Sequence, residues 1–528
     1  MKKILFLILL TIGFFGCDDR LDELNTDKIN PAEVDPSSLF TRGLVETFNN
    51  MVTPNVNSNP FKLYGQYWSQ TTYPEESQYN LTSRNIPAGF WTNVYRDVLV
   101  DLKEAKRLIS LEIENPTPST NVVQLTNQVA VIDILMAYNY AVLVDVFGNV
   151  PFTEALDPDN ITPAYDDASS VYDNVLTMID GALSAVDASE DGFTGGQDVL
   201  YSGDMMAWTK FANSVKFRLG MRLADVNSSK SVSVVNSALN AGVFTSNADN
   251  ASMAYQSAAP NTNPVYSALV LSGRSDYVIS NVLADKLNST MDGRLFRYAS
   301  GPIDFPFPTD DNDVTQDTTF TTDGLFLIID GETTHVSGEV TLTADQEGSV
   351  SYIQGGVYGT NNSFNAFSKV SALLYDDPEY PGTILNYAEL EFLMAEAVER
   401  GGYSVTGTAE EHYNAGIQAS FDQWGASGYV DYIAQPEIAY ATASGDYKQK
   451  IGFQMWVALY NQGFESWNTW KRLDFDGLVP LPGETDLSIP LRLPYPLEEA
   501  QLNGQNLSAA ASAIGGDEVT TKIFWDMN

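Results

Sequence analysis

One cysteine, Cys17, stands in the whole chain, so no disulfide can staple the fold and no cysteine-based zinc site can nucleate it; both need at least two thiols. With only two histidines, His335 and His412, a His-rich metal centre is excluded as well. A chain of 528 residues must therefore be held by a hydrophobic core, and its 44% hydrophobic and 12% aromatic content suffices for one. The formal net charge is −40, from 68 acidic against 28 basic residues, which sets the chain against nucleic acid, whose phosphates are bound through Lys and Arg. At roughly 150 residues per domain the length allows about three domains, or equally one large one.

Spacings of three and four residues give that core a helical geometry. Trp91, Tyr95, Val98, Leu99 and Leu102 mark one apolar face; Trp208, Phe211, Ala212, Val215, Leu219 and Leu223 mark another, with Ser202 or Asp204 placed to cap it. Further helices are predicted at about 122–146, 168–187, 384–400, 409–424 and 447–473. Val129–Phe147 is the most apolar segment, but Asp133, Asn139 and Asp145 interrupt it, which suits a buried helix better than a membrane span. Long irregular connections are expected at Ala155–Ala168 and Gly301–Asp323, and the runs LFLIID, GEVTLT and SVSYIQGGVYG predict a small β insertion. No repeat of fixed period and no barrel-like series of alternating strands is visible, so the fold class read here is mainly α, with long loops and a minority of strand.

Residues 1–17, MKKILFLILLTIGFFGC, pair a basic start with an apolar stretch too short to span a bilayer, the form of a secretory signal. A thiol directly after Gly16 resembles a bacterial lipoprotein signal, in which Cys17 is acylated and becomes the first mature residue. Phe14 stands where such signals usually carry an aliphatic residue. The expected organisation is a signal peptide at 1–16, a lipid-anchored tether at 17–36 and one domain at 37–528, with 301–358 as its β-rich insertion.

Acidic residues are plentiful enough that an enzyme must be weighed. Glu389 and Glu396 lie seven positions apart on one predicted helix face beside Glu399, whereas a glycosidase needs two carboxylates about 5–10 Å apart across a cleft. One helix face suits solvent or ion-pair partners instead. No G-x-S-x-G elbow, P-loop or G-x-G-x-x-G is present. Asp310, Asp311 and Asp313 sit in an acidic loop with oxygen ligands at alternate positions; calcium is the cation such spacing would accept, although the central Gly and terminal Glu of an EF-hand are missing. A solvated charged loop is the alternative.

Aromatic residues carry a richer signal. Tyr64, Tyr67, Trp68, Tyr73 and Tyr79 are interleaved with Gln66, Gln70, Glu75, Glu76, Gln78, Asn80 and Arg84. Flat rings beside amides and carboxylates suit sugar recognition. Tyr64 and Tyr67 read as packing, while Trp68, Tyr73 and Tyr79 are binding candidates, the last two flanking Pro74 in a predicted loop. Tyr358, in a second aromatic and amide-rich stretch with Asn361 and Asn362, is another.

Several ordered blocks then carry a family resemblance: LNTDKINP at 24–31, FWTNVYRDVLVDLKEAK at 90–106, FGNVPFTEAL at 147–156, YSGDMMAWTKFANSVKFRLGMRLADV at 201–226, NYAELEFLMAEAVERG at 386–401 and QGFESWNTWKRLDFDG at 462–477. Together with Cys17 they resemble the SusD/RagB family of nutrient-binding outer-membrane lipoproteins, in its SusD-like branch. The resemblance implies a scaffold of tetratricopeptide-like helix pairs, anchored by lipid in the outer membrane and facing the cell exterior. It implies a non-enzymatic protein that captures oligosaccharides, or in some branches peptides, for a SusC-like TonB-dependent transporter. Trp91, Trp208, Tyr387 and Trp467 fall in scaffold blocks and read as packing, and no ligand residue of the family transfers to this sequence. The alternatives are a lipoprotein glycoside hydrolase with a helical cleft and a peptide-binding or protein-interaction scaffold.

Overall fold

A computed structural model describes residues 34–81, 83–301, 309–310, 313–314, 316–329, 332–344 and 350–528. The signal segment, Cys17, most of the tether and Asp311 lie outside the described residues. The helices of ten residues or more are α1 (Pro36–Val52), α2 (Val100–Glu114), α3 (Val122–Phe147), α4 (Ala168–Ala185), α5 (Met205–Arg222), α6 (Ser228–Ala241), α7 (Tyr387–Arg400), α8 (Ala409–Trp424), α9 (Tyr447–Ala458), α10 (Gly463–Leu473) and α11 (Gly504–Ala513). Their starts are set by short polar side chains that accept from otherwise orphaned amides. Asp204 accepts from the Met206 and Ala207 amides at the head of α5, Asp167 from Ser170 at α4, and Thr408 with Glu411 forms a reciprocal capping box at α8.

Neighbours in sequence pack as pairs: α1 with α2, α2 with α3, α3 with α4, α5 with α6, and α7 with α8, while α9 rests on both α7 and α10. This is the mainly α, paired-helix architecture that the sequence implies. Helix α3 is apolar and long enough to cross a bilayer by composition, and 89% of its most apolar window is buried inside the protein. One helix was expected at 447–473, but α9 ends at Ala458 and α10 starts at Gly463. Asn461 turns left-handed there, with φ 71°. Gly463 is obligatory, since a Cβ on it would lie 2.4 Å from the Lys62 backbone nitrogen.

Ion pairs lock the pairs of helices together. Arg218 and Arg222, one turn apart on α5, are buried. Arg218 holds Glu389 of α7 with two bonds of 2.5 Å, and Arg222 bridges Asp145 of α3 to Glu465 of α10. Glu396 accepts from Arg400 at 2.7 Å and also from Arg472. Glu389 and Glu396 are thus ion-pair partners with no solvent exposure, which removes the solvated face as an explanation for them.

The strands of three or more residues are β1 (Trp68–Gln70), β2 (Ala251–Met253), β3 (Tyr277–Ile279), β4 (Thr318–Ile329), β5 (Glu332–Leu342), β6 (Val350–Tyr352) and β7 (Gly382–Leu385). β4 pairs antiparallel with β5 on one edge and β6 on the other, around a small apolar cluster of Leu327 and Leu342. The β insertion is therefore present. The irregular connection expected up to Asp323 ends sooner, because β4 begins at Thr318. Two short ribbons matter more for function: β1 with β3, and β2 with β7.

Candidate ligand groove

Antiparallel pairing of β1 with β3 places Gln70 opposite Tyr277 and so joins two loops more than 200 positions apart in sequence. The Thr71 amide donates to the Asp276 carbonyl at 2.9 Å, and the Thr72 hydroxyl to the Asp276 carboxylate at 3.2 Å. The Tyr277 hydroxyl donates to the Pro54 carbonyl at 2.9 Å, bringing in the Asn-rich run that follows α1. Between these walls lies a cleft of about 670 Å³. A neighbouring cleft of about 540 Å³ shares Glu46, Asn49, Pro260 and Thr262 with it, so the two form one elongated groove.

The groove has a rigid polar floor. Glu76 is buried and accepts from Gln70 Nε2 at 2.7 Å and from Arg84 Nε, while Gln70 Oε1 accepts the Ser77 amide at 3.0 Å. The Arg84 guanidinium then lies 5.9 Å from the centroid of the Tyr73 ring, which is 59% exposed at the groove's edge. Two buried atoms of the groove lining, Asn50 Nδ2 and the Tyr255 hydroxyl, have no hydrogen-bond partner among the described residues. Burial raises the Tyr255 hydroxyl pKa, so that group stays protonated and able to donate. A ring at the rim and unpaired polar groups on the wall suit a polyhydroxylated ligand.

Backbone strain gathers at the same place. Among the described residues nine non-glycine positions have positive φ, and Gln66, Tyr73, Tyr79 and Asn85 fall within twenty positions of one another. Left-handed backbone costs an L-residue roughly 1–2 kcal/mol. Tyr73, at φ 54°, has an exposed ring whose burial cannot offset that cost. Strain kept at an exposed aromatic is characteristic of a binding loop.

The structure separates the residues that sequence spacing grouped together. Tyr73 lines the groove. Trp68 does not: it has no solvent exposure, and its Nε1 donates to the Tyr460 hydroxyl at 3.1 Å. Tyr358 is 2% exposed and donates to the Leu63 carbonyl at 2.7 Å. Neither ring offers a face to a ligand, because β1 and the segment after β6 both run through the core. Tyr79 is half-buried, packed edge-on against Tyr64 at 5.7 Å, and supports the loop from beneath. Asp310 and Asp313 are register partners in a two-residue ladder, and Asp311 lies outside the described residues. Among the described residues no group of three His, Cys, Asp or Glu is placed to hold a metal ion. Sequence spacing did not single out Asn49, Asn50 and the run Thr53–Ser58, whose alternating Asn55 and Asn57 were the available signal.

Comparison with known proteins extends these observations. A family model described as starch-binding, associating with outer membrane, matches residues 28–317 and 335–496. No curated protein matches the sequence significantly. Among solved structures, a chitin-binding protein is similar at 24% identity and a TM-score of 0.72, covering 94% of this chain and 100% of its own. A chitin-binding SusD homologue from Flavobacterium johnsoniae is similar at 22% identity and a TM-score of 0.70, covering 93% and 99%. A SusD homologue from Bacteroides thetaiotaomicron is similar at 20% identity and a TM-score of 0.69, covering 94% and 100%. At these identities the solved structures speak to the fold.

Proposed function

Since this chain belongs to the SusD-like family, we propose that it is a cell-surface lipoprotein, anchored through Cys17 in the outer membrane, that captures neutral oligosaccharides in the Tyr73 groove and delivers them to a SusC-like TonB-dependent transporter. The observation that carries the binding site is Tyr73 itself, an exposed ring held on strained backbone over the Gln70–Glu76–Arg84 floor. The groove's length favours several sugar units over one. The family description names starch and two structural neighbours are chitin-binding, so unbranched neutral glycans are the ligands to try first.

Binding without bond cleavage is part of the proposal. Hydrolysis would require two free carboxylates facing each other across the ligand. Of the three carboxylates that line the groove, Glu76 spends both oxygens on Gln70 and Arg84 and Asp276 spends both on Thr72 and Arg274, which leaves Glu46 without a second free carboxylate to face. Calorimetric titration with maltooligosaccharides and chitooligosaccharides tests the reading. Saturable binding of at least one series, lost in Tyr73→Ala, is expected, with ligand length unchanged after prolonged incubation. Equal binding by Tyr73→Ala would remove the groove from the proposal, and new reducing ends would replace capture with hydrolysis. Cys17→Ala is expected to release the protein from membranes into the soluble fraction.

A further inference from the structure

A separate pocket lies behind the β2–β7 ribbon. It has a volume of about 230 Å³ and is lined by Ser252, Tyr380, Thr383, Trp424, Asn461 and Gln462 among others, none of them charged. Pockets for drug-sized molecules run roughly 300–1,000 Å³, so this one is sized for a single ring. Successive side chains of a strand point to opposite faces. Ser252 faces this pocket while its neighbour Met253 lines the groove, which makes β2 a wall between the two.

The lining is polar in an unusual way. Trp424, Asn461 and Gln462 are 4%, 9% and 8% exposed, yet Trp424 Nε1, Asn461 Oδ1 and Gln462 Oε1 have no hydrogen-bond partner among the described residues. Leaving a buried polar atom unpaired is costly, and here one donor and two acceptors belong to residues that line one space. The Tyr380 and Trp424 rings lie 6.0 Å apart, inclined by 30°, and the Ser252 and Thr383 hydroxyls, 2.7 Å apart, add further polar groups to the lining. In a protein of net charge −40, a pocket lined only by neutral groups selects against ions. Asn461 also holds the left-handed turn that interrupts the expected long helix, so the break between α9 and α10 is what brings both amides to the pocket.

We propose that the Trp424–Asn461–Gln462 pocket is a second binding site, for one neutral sugar unit, independent of the Tyr73 groove. The donor and the two acceptors match the mixed hydroxyl valence of a pyranose.

The test is titration of the purified protein with D-glucose and with N-acetyl-D-glucosamine, followed by the indole N–H resonance that disappears in Trp424→Phe. A saturable shift of that resonance with one of the two sugars is expected. Gln462→Leu should weaken the response about tenfold, as loss of one buried hydrogen bond does, and Ser252→Phe should abolish it by filling the space. Gln462→Leu changes no backbone requirement, so it remains informative where Ser252→Phe impairs folding. The shift should persist in Tyr73→Ala, which separates this site from the groove. Absence of a shift with both sugars would overturn the proposal. So would an unchanged response in folded Gln462→Leu, an equal response to glycerol, or loss of the shift in Tyr73→Ala.

Discussion

Arginine meets carboxylate in two regions of this molecule, and the two treat the pair in opposite ways. In the helical body Arg222 is enclosed by Asp145 and Glu465, its guanidinium is 5.8 Å from the Trp525 ring, and nothing is left over for a ligand. At the groove Arg84 also holds a buried glutamate, yet its side chain is 33% exposed and lies against an exposed Tyr73. The scaffold uses ionic chemistry to fix helices against one another, while the groove uses it to support a surface that stays open. Removing a partner should therefore cost folding in the first region and binding in the second.

The largest effect expected is from Arg222→Leu, which takes the shared guanidinium away from two buried carboxylates. Chemical denaturation should show about 3–5 kcal/mol lost, and oligosaccharide affinity should be retained in the fraction that stays folded. A comparable loss, about 3–5 kcal/mol, is expected for Trp68→Ala from the cavity it leaves in the core. Wild-type stability for that variant would place Trp68 with the groove after all. Tyr73→Gly tests the opposite side of the comparison. It relieves the φ 54° backbone, so stability should hold or rise by up to about 1 kcal/mol. Calorimetry on the same variant should show glycan affinity falling at least about tenfold.

The smallest effect concerns His412, half-buried on α8. Its Nδ1 lies 2.6 Å from Glu391 Oε2, and that hydrogen bond raises the imidazole pKa above its ordinary 6.5. A raised folded value means the pair's contribution is fully present below pH 6.5 and fades as pH climbs through the folded value. For a partly exposed pair it amounts to no more than about 1 kcal/mol. His412→Gln should flatten that part of the thermal midpoint against pH curve, while glycan binding by the groove is unmoved.

Much of the helical body was legible because burial on one face imposes a local period. Predicted segments at 122–146, 168–187 and 409–424 match α3, α4 and α8 to within two residues at either end. The break at Leu459–Gln462 was hidden because Leu459 and Tyr460 continue the apolar pattern, and only the close approach of Lys62 explains why Gly463 must follow. The groove was partly legible. Local composition found the loop around Tyr73 but could not distinguish it from Trp68, since the burial of Trp68 follows from pairing with β3, a contact between remote parts of the chain. The Arg218 and Glu389 partnership is invisible for the same reason: each residue shows its charge in sequence, but not what it faces across two packed helices.

The run of left-handed residues around the groove has an implication for engineering. At Tyr73 glycine relaxes the backbone while giving up no buried contact, whereas at Tyr79 it would also lose the packing on Tyr64. A mutant library screened only for resistance to heat should accumulate glycine at Tyr73, and its hardiest survivors would be the ones that have shed the exposed ring.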